Sequence, residues 1–134
     1  MILVDTGPLV ALTDADDQYF TECTAAFRTV RQPMGTVWPV LTEAMHFLGD
    51  LPEAQDAVWD MLARGAVQLL ALGPDDVPRI RELMRQYADL PMDLADAALI
   101  HVAEREGLNR FFTVDKKDFA VYRLHGRTRP KLIP

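Results

Sequence analysis

Two short apolar runs in this chain each end in an aspartate: Ile2-Leu3-Val4 runs into Asp5, and Phe111-Phe112-Thr113-Val114 runs into Asp115. An acid at the carboxyl end of a strand is a poor core residue, but in open α/β sheets that edge is where ligands bind. Two further acids interrupt apolar helical stretches, Glu43 within Val40 to Leu48 and Asp96 within Leu94 to Val102. Four carboxylates drawn together repel one another unless a cation joins them, and hard oxygen ligands suit Mg²⁺ or Mn²⁺. Asp96 is flanked by Ala95, Ala97 and Ala98, small residues that let another element approach, and an unpaired acid in such a place is costly. Asp93, three residues earlier, shares its helical face.

Each acid also has a structural reading. Asp5 precedes Thr6-Gly7-Pro8 and could cap a helix there. Glu43 could lie on the exposed side of its helix. Asp93, in a first turn, favours the helix dipole. Asp115 could be a turn residue, and Asp118 reads as one.

The elements that must bring these acids together alternate between strand and helix. Ile2 to Val4 reads as a buried strand, followed by a short helix, Leu9 to Thr13, with Pro8 in its first turn. A second helix runs from about Gln18 to Val30, with Phe20, Ala26, Phe27 and Val30 at helical spacing. Gln32 to Gly35 reads as a loop, Thr36 to Trp38 as a strand, and Pro39 opens a helix to about Leu48. A helix over Glu53 to Arg64 ends at Gly65. Val67 to Leu72 is a third strand, after which Asp75 or Asp76 caps a helix to about Tyr87. A helix from Met92 to Glu106 stops at Gly107, and Phe111 to Val114 is the fourth strand. Residues 116 to 130 read as irregular apart from a short turn near Asp118, and Lys131 to Ile133 as a last edge strand. Strands separated by helices imply parallel crossovers. The expectation is one domain over residues 1–134, an α/β/α sandwich of three layers around a mainly parallel sheet of four to five strands. Crossovers of this kind place Asp5 and Asp115 on one edge.

The composition is that of an ordinary globular chain, with 49% hydrophobic and 25% charged residues. No apolar run approaches the ~20 residues of a membrane span, and no secretion leader opens the sequence. Cys23 is the only cysteine, so no internal disulfide forms, in keeping with a reducing cytoplasm. The net charge of −6 is awkward for a nucleic-acid binder. The charge is uneven, however: residues 115 to 134 hold six Lys and Arg against two acids. That stretch is either a solvated tail or a contact for an RNA backbone.

The spacing of the acids resembles that of the PIN-domain nucleases, in particular the small VapC-like toxins of bacterial and archaeal toxin–antitoxin pairs. The elements that carry the resemblance are Ile2 to Val10 with Asp5 and Thr6, Glu43 early in a helix after a short strand, Asp96 to Ile100 with Ala103 and Gly107, and Phe112 to Asp115 closing with Asp118-Phe119. Together they span nearly the whole chain. The resemblance implies that Asp5, Glu43, Asp96 and Asp115 are the catalytic, metal-holding acids, supported by Thr6 and Thr113. Asp96 is matched rather than Asp93 because its step to Gly107 fits the family pattern, which leaves Asp93 as an additional acid near the site. It further implies a Mg²⁺- or Mn²⁺-dependent ribonuclease that hydrolyses RNA with metal-activated water, leaving a 5′-phosphate and a 3′-hydroxyl. Its partners would be an RNA substrate, a small antitoxin whose C-terminal segment lies across the site, and a second copy of the chain. Lys116 and Lys117, beside Asp115, are placed to hold phosphate, with Arg123 and Arg127 as further RNA contacts. The helices carrying Phe20, Phe27, Trp59 and Met61 are candidate surfaces for a partner or simply core.

No histidine mechanism is indicated. His46 reads as a helix-surface residue, His101 is turned about 140° from Asp96 on a helix, and His125 lies in the basic tail. No glycine-rich phosphate loop, C-x-x-C or spaced histidine pair is present. Two other readings compete: a phospho-receiver signalling domain, which would show an acidic pair at the first strand end, and a PIN-like module that binds RNA or protein without cutting.

Overall fold

The strand Ile2–Val4 (β1) is buried along its whole length, as a strand covered on both faces must be. In the computed structural model, which describes residues 1–134, it is the centre of a five-stranded sheet. The others are β2 (Met34–Thr36), β3 (Val67–Leu69), β4 (Arg110–Phe112) and β5 (Lys131–Ile133), in the order β3-β2-β1-β4-β5. Every pairing is parallel, with Leu3 beside both Gly35 and Phe111. Seven helices connect and cover the strands: α1 (Thr6–Thr13), α2 (Phe20–Thr29), α3 (Trp38–Phe47), α4 (Pro52–Ala63), α5 (Val77–Gln86), α6 (Leu94–Glu106) and α7 (Lys116–Val121). The result is the expected three-layer α/β/α sandwich with an all-parallel sheet. No helix is long and apolar enough to cross a membrane.

The strand order matters for chemistry. The chain steps outward from β1 through β2 to β3, then returns to the other side of β1 for β4 and β5. The direction of winding reverses between β1 and β4, and ligands of open α/β sheets bind outside the carboxyl ends of strands at such a reversal. Asp5 leaves β1 and Thr113 to Asp115 leave β4 at that point.

Several boundaries differ from those the sequence suggests. The second strand is Met34–Thr36, not Thr36 to Trp38. Its glycine imitates a loop, but Gly35 sits where Met1 and Leu70 close over the strand and a Cβ would meet the Met1 sulfur at 2.8 Å. Trp38 accordingly begins α3. The third strand stops at Leu69. Residues 116 to 130 are not irregular throughout, because Lys116–Val121 is a helix of six residues, too short for periodicity to reveal. Asp76 occupies the N-cap position of α5, but its side chain makes no cap hydrogen bond there; it accepts from the Gly73 amide at 2.7 Å and faces α6. Gly107 does end α6, in the left-handed region at φ 68°.

The core runs between the sheet and its helices. α1 packs on α2, α3 and α4, while α6 packs on α3 and α5. Met61 belongs to this core, Phe20 and Phe27 are half-buried along a groove that also includes Leu12, and Trp59 is exposed beside Trp38. Under β4 an aromatic cluster links Phe111, Phe119, Tyr122 and Tyr87, each neighbouring pair 5.1–5.4 Å apart between ring centroids. This cluster ties α7 and Tyr122 to β4 and to the end of α5.

Candidate metal centre

The local sequence explains how each acid is presented. Asp5 and Asp115 each occupy the residue before a helix, where a strand has just ended and the backbone is extended or turning. Asp93 does the same for α6, its Oδ1 accepting from the Asp96 amide at 2.8 Å. Asp96 then projects from the first turn of α6, and Glu43 from the middle of α3. Close approach of α1 to the end of β4 depends on Gly7, where a Cβ would overlap Val114 Cγ2. A β-branched side chain offers little room to yield.

These acids line one open cavity of about 480 Å³. Asp5, Glu43, Asp93, Asp96, Asp115 and Asp118 all face it, together with Thr6. The tightest group is Asp96, Asp115 and Asp118, which offer carboxylate oxygens within 4.8 Å of one another. The structure therefore brings the four acids matched from the sequence to one place and adds Asp118, read from sequence as a turn residue. The available signal was the spacing Asp115-x-x-Asp118, which puts two acids on one helix face once α7 is known to be a helix.

Hydroxyls hold the cluster in position. Thr113 Oγ1 donates to Asp5 Oδ2 at 2.8 Å and accepts from the Asp115 amide at 3.0 Å, tying the ends of β1 and β4 together. Thr6 Oγ1 donates to Glu43 Oε2 at 3.3 Å. Tyr122, which the sequence did not single out, donates its hydroxyl to Asp96 Oδ2 at 2.6 Å from the far side of the aromatic cluster. The Asp115 carboxylate accepts from the Asp118 amide at 3.1 Å.

The electrostatics are those of acids crowded without counter-charge. Burial pushes Asp5 up to about 6, and Asp93 and Asp115 push the same way. Burial and the neighbouring Asp5 raise Asp96 to about 8. Burial and the facing Asp93 raise Glu43 to about 7. Asp118 is raised by burial and by Asp115. No Lys, Arg or His lines the cavity. Three carboxylate oxygens converging on one point, with no basic residue to balance them, form the donor set that a hard divalent cation takes.

The basic residues of the C-terminal stretch lie outside the cavity. Lys116 and Lys117 are exposed in the first turn of α7, Lys116 at 3.8 Å from Glu22, and Lys117 is near enough to act electrostatically on Asp118. Arg123 spends its guanidinium on the carbonyls of Ala120, Val121 and Tyr122, closing the end of α7. Arg127 is exposed in the turn between Leu124 and Thr128. His46 is exposed on α3, and His101 points away from the acids toward Asp76.

A family model described as PIN domain matches residues 2–124. Ribonuclease VapC26 of Mycobacterium tuberculosis is 28% identical over 140 aligned positions, which cover 99% of this chain and all of the relative. Among solved structures, VapC20 of M. tuberculosis, described as a sarcin–ricin loop cleaving toxin, superposes with a TM-score of 0.79 at 18% identity, over 87% of this chain and 92% of that one. A toxin–antitoxin complex from Klebsiella pneumoniae gives 0.69 at 21% identity, over 99% of this chain and 100% of that one.

Proposed function

The chain belongs to the PIN-domain family, and from that premise we propose that it is a Mg²⁺- or Mn²⁺-dependent endoribonuclease, the toxin of a toxin–antitoxin pair. The observation that carries this reading is the convergence of Asp96, Asp115 and Asp118 beside Asp5 and Glu43, with no basic side chain on the cavity wall. The relative named as a ribonuclease and the fold shared with a sarcin–ricin loop cleaving toxin support it.

Asp96, Asp115 and Asp118 would hold the cation, with Asp5 completing the set through the hydroxyl of Thr113. When bound, the cation supplies water activation and charge neutralisation at the phosphate. Asp5, Asp96 and Asp118 hold protons more tightly than free carboxyls, so ion binding would displace protons from them. Glu43, held by Thr6, stands where it can accept a proton from an attacking water. Lys116 and Lys117 approach the RNA backbone from outside the cavity. The fold match to a toxin–antitoxin complex favours a small antitoxin laid across this cavity. A homodimer and a cytoplasmic location complete the reading.

The test is cleavage of a panel of structured RNAs with Mg²⁺, Mn²⁺ or EDTA, comparing wild type with Asp5→Asn. Cutting should require the cation, and the variant should lose it while keeping its circular-dichroism spectrum. Equal cleavage by the variant, or cleavage in EDTA, rejects the assignment. RNA binding without any cutting by wild type identifies a non-catalytic module instead.

A further inference from the structure

The cavity has an unusual wall for a site that takes RNA. Eight of its lining side chains are acids and none is basic. Bound cations offset part of that charge, but nothing on the wall can grip a phosphate in the ordinary way. Inside the cavity, beyond the cation itself, contacts that do not depend on charge are left to position the substrate. The wall offers one exposed aromatic ring. Phe47 ends α3, one turn beyond Glu43, so the two share a helix face. It is 66% exposed, more than any other large apolar residue of the chain. The core-facing positions of this helix and its cap are Val40, Leu41, Ala44 and Leu48, so Phe47 has no part in the packing. Tyr19 also lines the cavity, but its ring packs against the core. The imidazole of His46 lies against Phe47, centroids 5.8 Å apart at 61°, and limits the ring's freedom.

We propose that Phe47 is a nucleobase-stacking residue: a base flanking the bond to be cut lies on its ring, and the substrate is RNA unpaired at that nucleotide. This rests on the ribonuclease reading and adds to it a residue that positions the substrate. Aromatic stacking accepts any base, so it positions without selecting sequence. It also requires a base free of its helix, which loops and single strands supply.

The test compares wild type with Phe47→Ala, Phe47→Leu and Phe47→Trp on a single-stranded RNA, on the same RNA annealed to its complement, and on a series with one abasic position. Phe47→Ala should raise KM roughly five- to a hundredfold, the range of one lost base stack, with little change in kcat. Phe47→Leu, apolar but without a π face, should behave like Phe47→Ala, while Phe47→Trp should restore KM. One abasic position next to the cut should erase the difference between wild type and Phe47→Ala, and the duplex should be a poor substrate. An unchanged KM in Phe47→Ala, rescue by leucine, or efficient duplex cleavage overturns the proposal. If wild type cuts RNA and Phe47→Ala equals it, only this proposal fails, and the ring is left to a protein partner. If wild type cuts nothing, the ribonuclease reading fails; stacking is then read by 2-aminopurine RNA, whose fluorescence wild type should quench on binding and Phe47→Ala should not. No quenching by wild type overturns the proposal.

Discussion

Helix α6 carries an acid site at each end, and the two behave oppositely. At its start, Asp96 is 7% exposed among other carboxylates and its affinity for a proton is raised to about 8. Beside its second half, Asp76 is 9% exposed, yet its carboxyl is drawn down to about 2. The first cause is His101, whose Nε2 lies 2.6 Å from Asp76 Oδ1, followed by the Gly73 amide and by Arg105 at 3.0 Å. Arg105 also donates to the Ala71 carbonyl at 2.8 Å. Residue type and surface exposure are nearly the same, but Asp96 lies deeper, where loss of solvent raises it most. The partners differ as well: carboxylates surround Asp96, whereas His101 and Arg105 face Asp76. The chain supplies counter-charge where an acid serves the fold and withholds it at the acids proposed to hold a cation.

Four substitutions or conditions bear on that contrast. The largest effect belongs to Asp96→Asn. Loss of a residue that merely supports a metal ligand costs about 10–100-fold, so loss of the ligand should reduce cleavage by at least about a hundredfold. Asp93, which caps α6 and is exposed, should matter far less. Measured kcat/KM for the two variants decides the matter, and the reverse order would move the ligand role to Asp93.

Next is Asp76→Asn, which should do the opposite. Arg105 and the half-enclosed His101 would lose their anion, and the Asp76 contact is the only hydrogen bond of the imidazole, since Nδ1 is buried without a partner. Urea unfolding should show a lower midpoint than wild type, while cleavage per folded molecule stays at the wild-type value. A stable but inactive variant would break the distinction between the two ends.

The third concerns pH. Asp5, Glu43 and Asp96 hold protons more tightly folded than unfolded, so without metal their contribution to stability is full below about pH 4 and is lost as pH rises through about 6, 7 and 8. Asp76 has the opposite sign, contributing above the ordinary carboxylate range and failing only as pH falls through about 2. Thermal melts in EDTA should therefore fall steadily between about pH 5 and 8.5. Saturating Mg²⁺ should remove most of that fall. Identical slopes with and without the cation would show that the acids do not bind it.

The smallest effect is Tyr122→Phe. It removes a hydroxyl that steadies Asp96 and leaves the aromatic cluster in place. Cleavage should drop about tenfold with a raised Mg²⁺ requirement, which a titration of activity against Mg²⁺ would detect.

Much of this was legible in the sequence for one reason: an acid after an apolar strand is anomalous locally. Asp5 and Asp115 announce themselves from their neighbours, and parallel crossovers then require that they share an edge. Asp96 was visible because it interrupts an apolar helix among alanines. Asp118 was hidden because α7 is six residues long and begins with two lysines that resemble a solvated tail. Tyr122 and the Asp76–His101–Arg105 group were invisible for a different reason. Their meaning lies in partners 25 to 29 residues away, and nothing in their immediate surroundings is out of place. The strand order, which turns a list of acids into a cavity, likewise follows from packing rather than from any local pattern.

The amide of Asp5 donates to the carbonyl of Phe112, and the cavity closes only when Asp115, Asp118 and Tyr122 arrive beside residues from the beginning of the chain. Synthesis from the N-terminus thus supplies Asp5, Glu43 and Asp96 before Asp115 and Asp118. Until Asp115 and Asp118 join it, the chain holds only one of the three converging carboxylates, so the acid cluster forms only once β4 and α7 have closed on the first strand.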